Sequence, residues 1–366
     1  MLEVTNRVRE RMEPLQCQEE DILKACKSAL SPQLSINASA AKHRTCRPEF
    51  VVALLETVAE HGSVAQPVVL SRLCVKGDLD LTGFRTEHSV YLPGLEVEGR
   101  VCLNQSSWAY LDLSGARARS LSAIGINVRG DLNLSGAIIP DHVNLERARV
   151  GGNLDFRKGV FTVDGAAPNE EHPEIAGSTG QDETEHGRKA ARRESYKRSE
   201  AMSLYGAGID GSLLFCDTRM DRRIRMTNAR VGRDVDLWGV EFQDLGELEN
   251  GLVCSNCEIG EKLVFTHTRC DDATRIVLDY SRMRILQFGK SQADWPRAGR
   301  ISLEGTLFEA LVFMEPQKAG HALDVFDKDR TIQLLRRNGP TFYRQPWRQA
   351  AHTLNEKGYH EEALEI

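Results

Sequence analysis

The chain has 366 residues and a formal net charge of −6, with 41% hydrophobic and 27% charged residues. This balance is ordinary for a folded globular protein and gives no reason to expect nucleic-acid binding. No run of about 18 apolar residues predicts a membrane span, no secretory leader is recognisable, and the cysteines do not follow a disulfide framework. We expect a cytoplasmic protein, membrane-associated only if the chain continues beyond residue 366.

Residues 1–66 are predicted to form a helical cap. Val8 and Met12 recur at helical spacing in a first segment, and residues 22–30 repeat that spacing in a second. A third helix is expected from Pro48 to Glu60, because proline suits a first helical turn. Such a cap would cover the open end of a repeat structure. A separate binding module is the alternative.

From Val68 onward, apolar residues come in pairs with one residue between them, and the pairs recur every five or six residues. Between 128 and 156 the pairs are Leu132/Leu134, Ala137/Ile139, Val143/Leu145, Ala148/Val150 and Leu154/Phe156. Both members of a pair face one way on a short strand, and the spacing requires a turn after each pair. Four sides then complete one coil. The pattern predicts a solenoid over residues 67–315, although Thr86 and Trp108 fit the pairing less well.

Several tripeptides of the pairs resemble the pentapeptide-repeat family, whose pattern is A-(D/N)-L-x-x. They are Leu79-Asp80-Leu81, Leu111-Asp112-Leu113, Leu132-Asn133-Leu134, Val143-Asn144-Leu145, Leu154-Asp155-Phe156 and Val235-Asp236-Leu237. The resemblance implies a mainly β fold, a right-handed quadrilateral parallel β-helix. Together with helical ends it is similar to a bacterial group, some members of which carry an oxidoreductase label that no residue here supports. The family also implies DNA mimicry, which needs a strongly negative surface, whereas these coils are nearly neutral.

Three insertions interrupt the coils, at 164–201, 243–251 and 271–275. We number the four sides of a coil in chain order and take Leu213/Phe215 as side one. At all three insertions the chain then leaves the coil between side two and side three, so the insertions would form a ridge on one corner. Insertions on one face of a solenoid often form its binding face. The longest carries a basic cluster that could dock onto an acidic partner or anionic lipid, or pair with the acidic half of the same insertion. The cluster comprises Arg188, Lys189, Arg192, Arg193, Lys197 and Arg198.

Residues 316–366 are predicted to be helical again. A helix is expected from Asp324 to Arg337, followed by a helix–Gly–helix pattern around Gly358. That pattern is similar to part of a tetratricopeptide repeat. It covers less than one repeat unit, so it does not by itself predict a peptide-binding groove.

Three motifs could be read as chemical or charged sites. Gly206 to Gly211 match G-x-G-x-x-G, but a dinucleotide site needs a helix after the motif, and here an inward pair follows at once. Four residues have the composition of a zinc site, although the three cysteines fall at inward positions, where small apolar residues fit. An arginine run from Arg219 to Arg233 is predicted to be a surface charge ladder. The four zinc candidates are Cys254, Cys257, His267 and Cys270.

The sequence therefore favours a non-enzymatic rigid scaffold that binds a protein partner through its insertions or helical ends. No catalytic residue and no cofactor are predicted, nucleic acid is not the expected partner, and the chain could form oligomers. Two alternatives are open. One is a DNA mimic that binds a topoisomerase, and the other is an enzyme with its site between the insertions and the helical ends.

Overall fold

The computed structural model describes residues 2–12, 19–20, 34–36, 44–61, 67–162, 200–243, 251–270, 274–291, 295–296, 300–314, 327–338 and 344–366. It is mainly β, with a parallel β-solenoid of about eight turns and helices at both ends. The predicted fold class is confirmed at this level. The helices are α1 (Leu2–Met12), α2 (Pro48–His61), α3 (Lys328–Arg336), α4 (Arg344–Glu356) and α5 (His360–Glu365).

Most coils contribute one short strand or bridge to each of four parallel ladders, which we call sides one to four in chain order. Side one contains Leu34–Ile36, Val68–Leu70, Ser89–Tyr91, Tyr110–Asp112, Leu132–Asn133, Leu154–Asp155, Leu213–Leu214, Val235–Asp236 and Lys262–Phe265. Side two contains Arg44–Cys46, Leu73–Val75, Glu96–Val97, Val160–Phe161, Arg219–Met220 and Glu241–Phe242, with single bridges at Arg117, Ile138 and Arg269.

Side three contains Leu79–Asp80, Arg100–Cys102, Ser120–Ser122, His142–Asn144, Glu200–Ser203, Arg223–Arg225, Gly251–Val253, Arg275–Val277 and Ile301–Ser302. Side four contains Ser107–Trp108, Asn127–Val128, Arg149–Val150, Gly208–Ile209, Arg230–Val231 and Glu258–Ile259. In the last two coils sides four and one are continuous, in Arg282–Gly289 and Leu307–Met314. The predicted right-handed coiling stays a prediction.

The predicted inward pairs form the core. Residues at equivalent positions stack from coil to coil, as Phe156 does on Phe215 with ring centroids 5.1 Å apart. Phe265 and Phe288 repeat this contact at 5.1 Å near the other end. One continuous cluster of buried apolar side chains runs from Val8 in α1 through the coils to Ala350 in α4. Because the helices share the core of the solenoid, they are packed onto its ends.

The (D/N) position of the repeat has a local cause. Its side chain points outward and accepts a hydrogen bond from the backbone amide two residues later, at 2.9 Å from Ser135 to Asn133 and at 2.9 Å from Trp238 to Asp236. The turn that follows places a residue in the left-handed region, for example Gly136 at φ 67°. Asp and Asn are favoured there because they hold the first turn amide in place.

The N-terminal region differs from the predicted helical cap in one respect. Leu34–Ile36 and Arg44–Cys46 are strands, and they pair in parallel with Val68–Leu70 and Leu73–Val75. The solenoid ladders therefore begin before Val68. The helix predicted from Pro48 is confirmed and ends at His61, whereas the one predicted over 22–30 lies outside the described residues.

The C-terminal helices cover the last coil. Gln345 of α4 accepts a hydrogen bond from the Gly305 amide at 3.0 Å and donates to the Thr306 carbonyl at 3.1 Å, and Gln349 donates to the Phe308 carbonyl at 2.8 Å. These side chains take the place that a further coil would fill. Among the described residues, none of the helices has the length and apolarity needed to cross a membrane.

Candidate functional site

The described flanks show where the chain leaves the coils. It leaves after side two at Thr162, Gln243 and Cys270, and it returns to side three at Glu200, Gly251 and Thr274. All three departures are at the corner between sides two and three, which we call the insertion corner. The intervening segments lie outside the described residues, and so do Arg188, Lys189, Arg192, Arg193, Lys197 and Arg198 of the predicted basic cluster.

A depression of about 820 Å³ lies on side three, next to the point where the longest insertion returns. Outward side chains of neighbouring coils and of the corner that follows line it. Those of its lining residues that the structure describes are Ile124, His142, Asn144, Glu146, Arg147, Glu200, Tyr205, Arg223, Arg225 and Val253. We call this the side-three depression.

Glu200 is the most buried charged residue of the side-three depression, with 7% of its surface exposed. The strand register shifts between Glu200 and Met202, so a β-bulge redirects the chain as it leaves the insertion. Burial raises the pKa of the Glu200 carboxyl, and the positive charges of Arg225 and Arg223 oppose that rise. Arg225 is the nearer of the two in the ion-pair geometry, with Nη1 3.6 Å from the Glu200 carboxylate.

Hydrogen bonds and ring contacts hold the other polar groups of the side-three depression. His142 Nδ1 is 3.0 Å from the main-chain oxygen of Glu200, and because a carbonyl can only accept, this contact places a proton on Nδ1. Ser203 donates to Glu146 at 3.1 Å, and the Arg225 guanidinium lies 5.0 Å from the centre of the Tyr205 ring. The side-three depression thus presents fixed positive and negative groups together, which suits recognition of a polar surface of a partner.

The four zinc candidates are not brought together. Cys254 and Cys257 are buried at one corner, where the Cys257 thiol donates to the Met226 carbonyl at 2.8 Å. Hydrogen bonding with Cys257 and burial raise the pKa of the Cys254 thiol. His267 lies on a different corner, against the edge of Trp238, and Cys270 follows side two. In the described part of the chain no group of three or more His, Cys, Asp or Glu residues could hold a metal ion.

The glycine motif also has the setting of a solenoid. Gly206 is in a left-handed turn, Gly208–Ile209 is a strand of side four, and Leu213–Leu214 is a strand of side one. A strand follows where a dinucleotide site would have a helix, so the motif lacks the required context.

The arginine run is only partly at the surface, which corrects the prediction of a surface ladder. Arg219 pairs with Glu241 at 3.3 Å and is exposed. Arg222 instead is buried and pairs with the buried Asp221 at 3.1 Å. It also donates to the Pro140 carbonyl, two coils earlier, at 2.5 Å. In the coil between them the chain enters the longest insertion at this corner, so the contact joins the two described corners on either side of that coil.

Sequence reasoning did not single out Glu200. The one feature of the sequence that could have indicated Glu200 is its alignment with Arg223. The two residues occupy matching outward positions of side three in consecutive coils. That match appears only when the coils are aligned across the insertion. A long insertion hides it from any reading of local spacing.

The fold and the site define the class of protein as a parallel β-solenoid repeat protein with helical ends. Comparison with protein-family models finds no family that matches the chain, and comparison with curated proteins finds no match.

Proposed function

We propose that this protein is a non-enzymatic rigid scaffold for protein–protein interaction, of the pentapeptide-repeat type. The observation that carries the proposal is the filled interior of the solenoid. Along side one, the inward residues Leu132, Leu154, Leu213 and Leu263 are at most 1% exposed. A rod whose interior holds its own side chains offers a partner only its faces, corners and ends.

The insertion corner is the proposed place of partner binding, through segments 164–201, 243–251 and 271–275, with the helical ends as a second contact. Three departures from one corner within a few coils support this, because they span about 14 Å at about 4.8 Å per coil. The side-three depression adds ordered charged groups beside the return of the longest insertion at Glu200.

The charge pattern of the coils supports a scaffold over a DNA mimic. Outward arginines pair with carboxylates of neighbouring coils, as in Arg100–Asp78 at 2.8 Å and Arg230–Glu258 at 3.0 Å. A mimic of DNA needs a dense and uncompensated negative surface. The enzyme alternative stays a prediction with no reaction assigned.

The test is affinity capture with three forms of the full chain. In the first, residues 162–199 are replaced by the two-residue connection Glu-Gly, copied from Glu98-Gly99 at the same corner of an earlier coil. In the second, the six basic residues of the longest insertion become serine. The third is the unchanged chain. We expect one specific protein to be captured by the unchanged chain and lost from the replacement form.

The serine form separates charge from length. Loss of the same protein from this form assigns binding to the basic cluster, and retention assigns it to the rest of the insertion. Equal capture by the replacement form and the unchanged chain, with both folded by circular dichroism, would contradict binding through this insertion.

A further inference from the structure

Side four carries a groove away from the insertion corner. The outward residues of its successive coils are Arg149, Gly208, Arg230, Glu258 and Arg282. Gly208 leaves a notch in this row, and a depression of about 880 Å³ extends from it along the solenoid. The adjoining corner has glycines where neighbouring coils approach closely, since a Cβ on Gly232 would lie 2.2 Å from the Asp210 carbonyl oxygen, and Asp210 itself also lines the depression.

The arginines of this groove are not all neutralised. Arg230 pairs with Glu258 at 3.0 Å, as outward arginines do elsewhere on the coils. Arg149 instead donates to the main-chain oxygen of Gly206 at 3.1 Å. Within the described residues, no carboxylate lies within ion-pairing distance of Arg149 or of Arg282. The groove therefore has a positive group near each end. Between them lie Asp210 and the Arg230–Glu258 pair, and beyond Arg282 lies the pair of Arg284 with Glu309 at 3.3 Å.

We propose that this groove binds an extended acidic peptide segment of a partner protein, with one carboxylate on Arg149 and another on Arg282. The two arginines are four coils apart, or about 19 Å, which an extended chain spans in about six residues. Arginine suits the task because its guanidinium can bind a carboxylate through two parallel hydrogen bonds.

The negative charge of Asp210, which lines the groove between the two arginines and has no ion-pairing partner among the described residues, decides the kind of ligand. A single-stranded nucleic acid would place a regular row of phosphates along the groove, and one of them would face this carboxylate. A peptide can avoid the conflict with a neutral or basic residue at its middle. The backbone of the floor is already paired in the parallel ladder, for example Gly232 N to Ile209 O at 2.7 Å, so recognition depends on side chains.

The inference goes beyond the proposed scaffold function, because it places a second binding surface on side four. Failure of the side-four proposal does not bear on partner binding at the insertion corner, since the side-four variants leave the insertions intact.

The probe is a fluorescein-labelled peptide, Glu-Gly-Ser-Lys-Ser-Gly-Glu, titrated with the full chain by fluorescence anisotropy. The control peptide exchanges the charges, as Lys-Gly-Ser-Glu-Ser-Gly-Lys. We expect the first peptide to bind with an affinity that falls as salt rises, and the second not to bind. The double variant R149A/R282A should weaken binding by about 2- to 25-fold, at about 1.4- to 5-fold for each exposed ion pair.

Two further variants make the test specific. Gly208→Leu fills the notch without adding a charge and should abolish binding; a Cβ there meets the flexible end of Arg149, at 3.0 Å, so the fold should tolerate it. Arg269→Ala removes another exposed arginine, on side two, and should leave binding unchanged. Equal binding of the two peptides, no effect of R149A/R282A, or binding of a ten-nucleotide oligo-dT in place of the peptide would each overturn the proposal.

Discussion

Arg222 offers the sharpest test of how the solenoid tolerates its longest insertion. Its side chain is 8% exposed and that of its partner Asp221 is fully buried, and it supplies a donor to the Pro140 carbonyl two coils earlier. Replacing Arg222 by alanine leaves the Asp221 carboxylate buried without this partner and removes the donor to Pro140. Removing one partner of a buried ion pair destabilises proteins by about 3–5 kcal/mol.

A matched control is present at the same corner. Arg119 pairs with Asp141 at 2.8 Å, but 56% and 46% of their side chains are exposed. Exposed pairs contribute about 0–1 kcal/mol, so Arg119→Ala should change the free energy of unfolding by no more than that. The comparison isolates burial, because both variants remove an arginine from the corner between sides two and three.

The assay is urea unfolding followed by circular dichroism, together with amide hydrogen exchange. Repeat arrays can unfold in parts, so exchange is needed to locate the effect, which we expect around residues 138–142 and 219–225. The double variant D221L/R222M should recover most of the stability, since it removes both members of the Asp221–Arg222 pair and leaves neither of them as a buried charge. Equal losses from Arg222→Ala and Arg119→Ala would refute the reasoning.

Three other outcomes are expected. Phe215→Ala should destabilise the protein by about 3–5 kcal/mol in urea unfolding, because Phe215 is fully buried and stacks on Phe156. The variant Q345A/Q349A uncovers the edge of the last coil and should cause end-to-end association, seen as larger species at higher concentration in analytical ultracentrifugation. Glu200→Gln should reduce the pH dependence of stability above about pH 4.5, the ordinary carboxyl pKa. The raised pKa in the folded state gives Glu200 a contribution that is complete below that pH and lost as pH rises, so a melting series unchanged by this substitution would contradict it.

The coils could be predicted from the sequence because the same packing demand recurs in each of them. Leu154 and Phe156 were expected to face inward and are fully buried. Trp108 fits the predicted pairing less well. It is nevertheless fully buried, and its Nε1 donates to Ser106 at 2.8 Å, so the polar atom is satisfied inside the coil.

The features that could not be predicted depend on contacts between coils. Leu34–Ile36 and Arg44–Cys46 each have three residues and no repeat before them, so only pairing with the following coil makes them strands. Arg222 looks like any other member of an arginine run, and its contact with the Pro140 carbonyl joins coils that the longest insertion separates in sequence. Local spacing contains neither kind of information.

The constraints on each corner explain why the insertions gather at one of them. Two corners repeat a left-handed residue from coil to coil, as at Gly125, Arg147 and Gly206 between sides three and four. The corner between sides four and one repeats a glycine because neighbouring coils approach too closely for a Cβ, as at Gly232. The insertion corner repeats neither the left-handed residue nor the close-packed glycine in most coils.

Extra residues at the insertion corner disturb only hydrogen bonds between corners, and a flexible loop of greater length adds little to the entropy of closure. Where an insertion separates two corners of the ladder, a long charged side chain of the following coil can connect them, as Arg222 does by donating to the Pro140 carbonyl. Variation in length is therefore least restricted at this corner, and a scaffold can change partners there without changing its core.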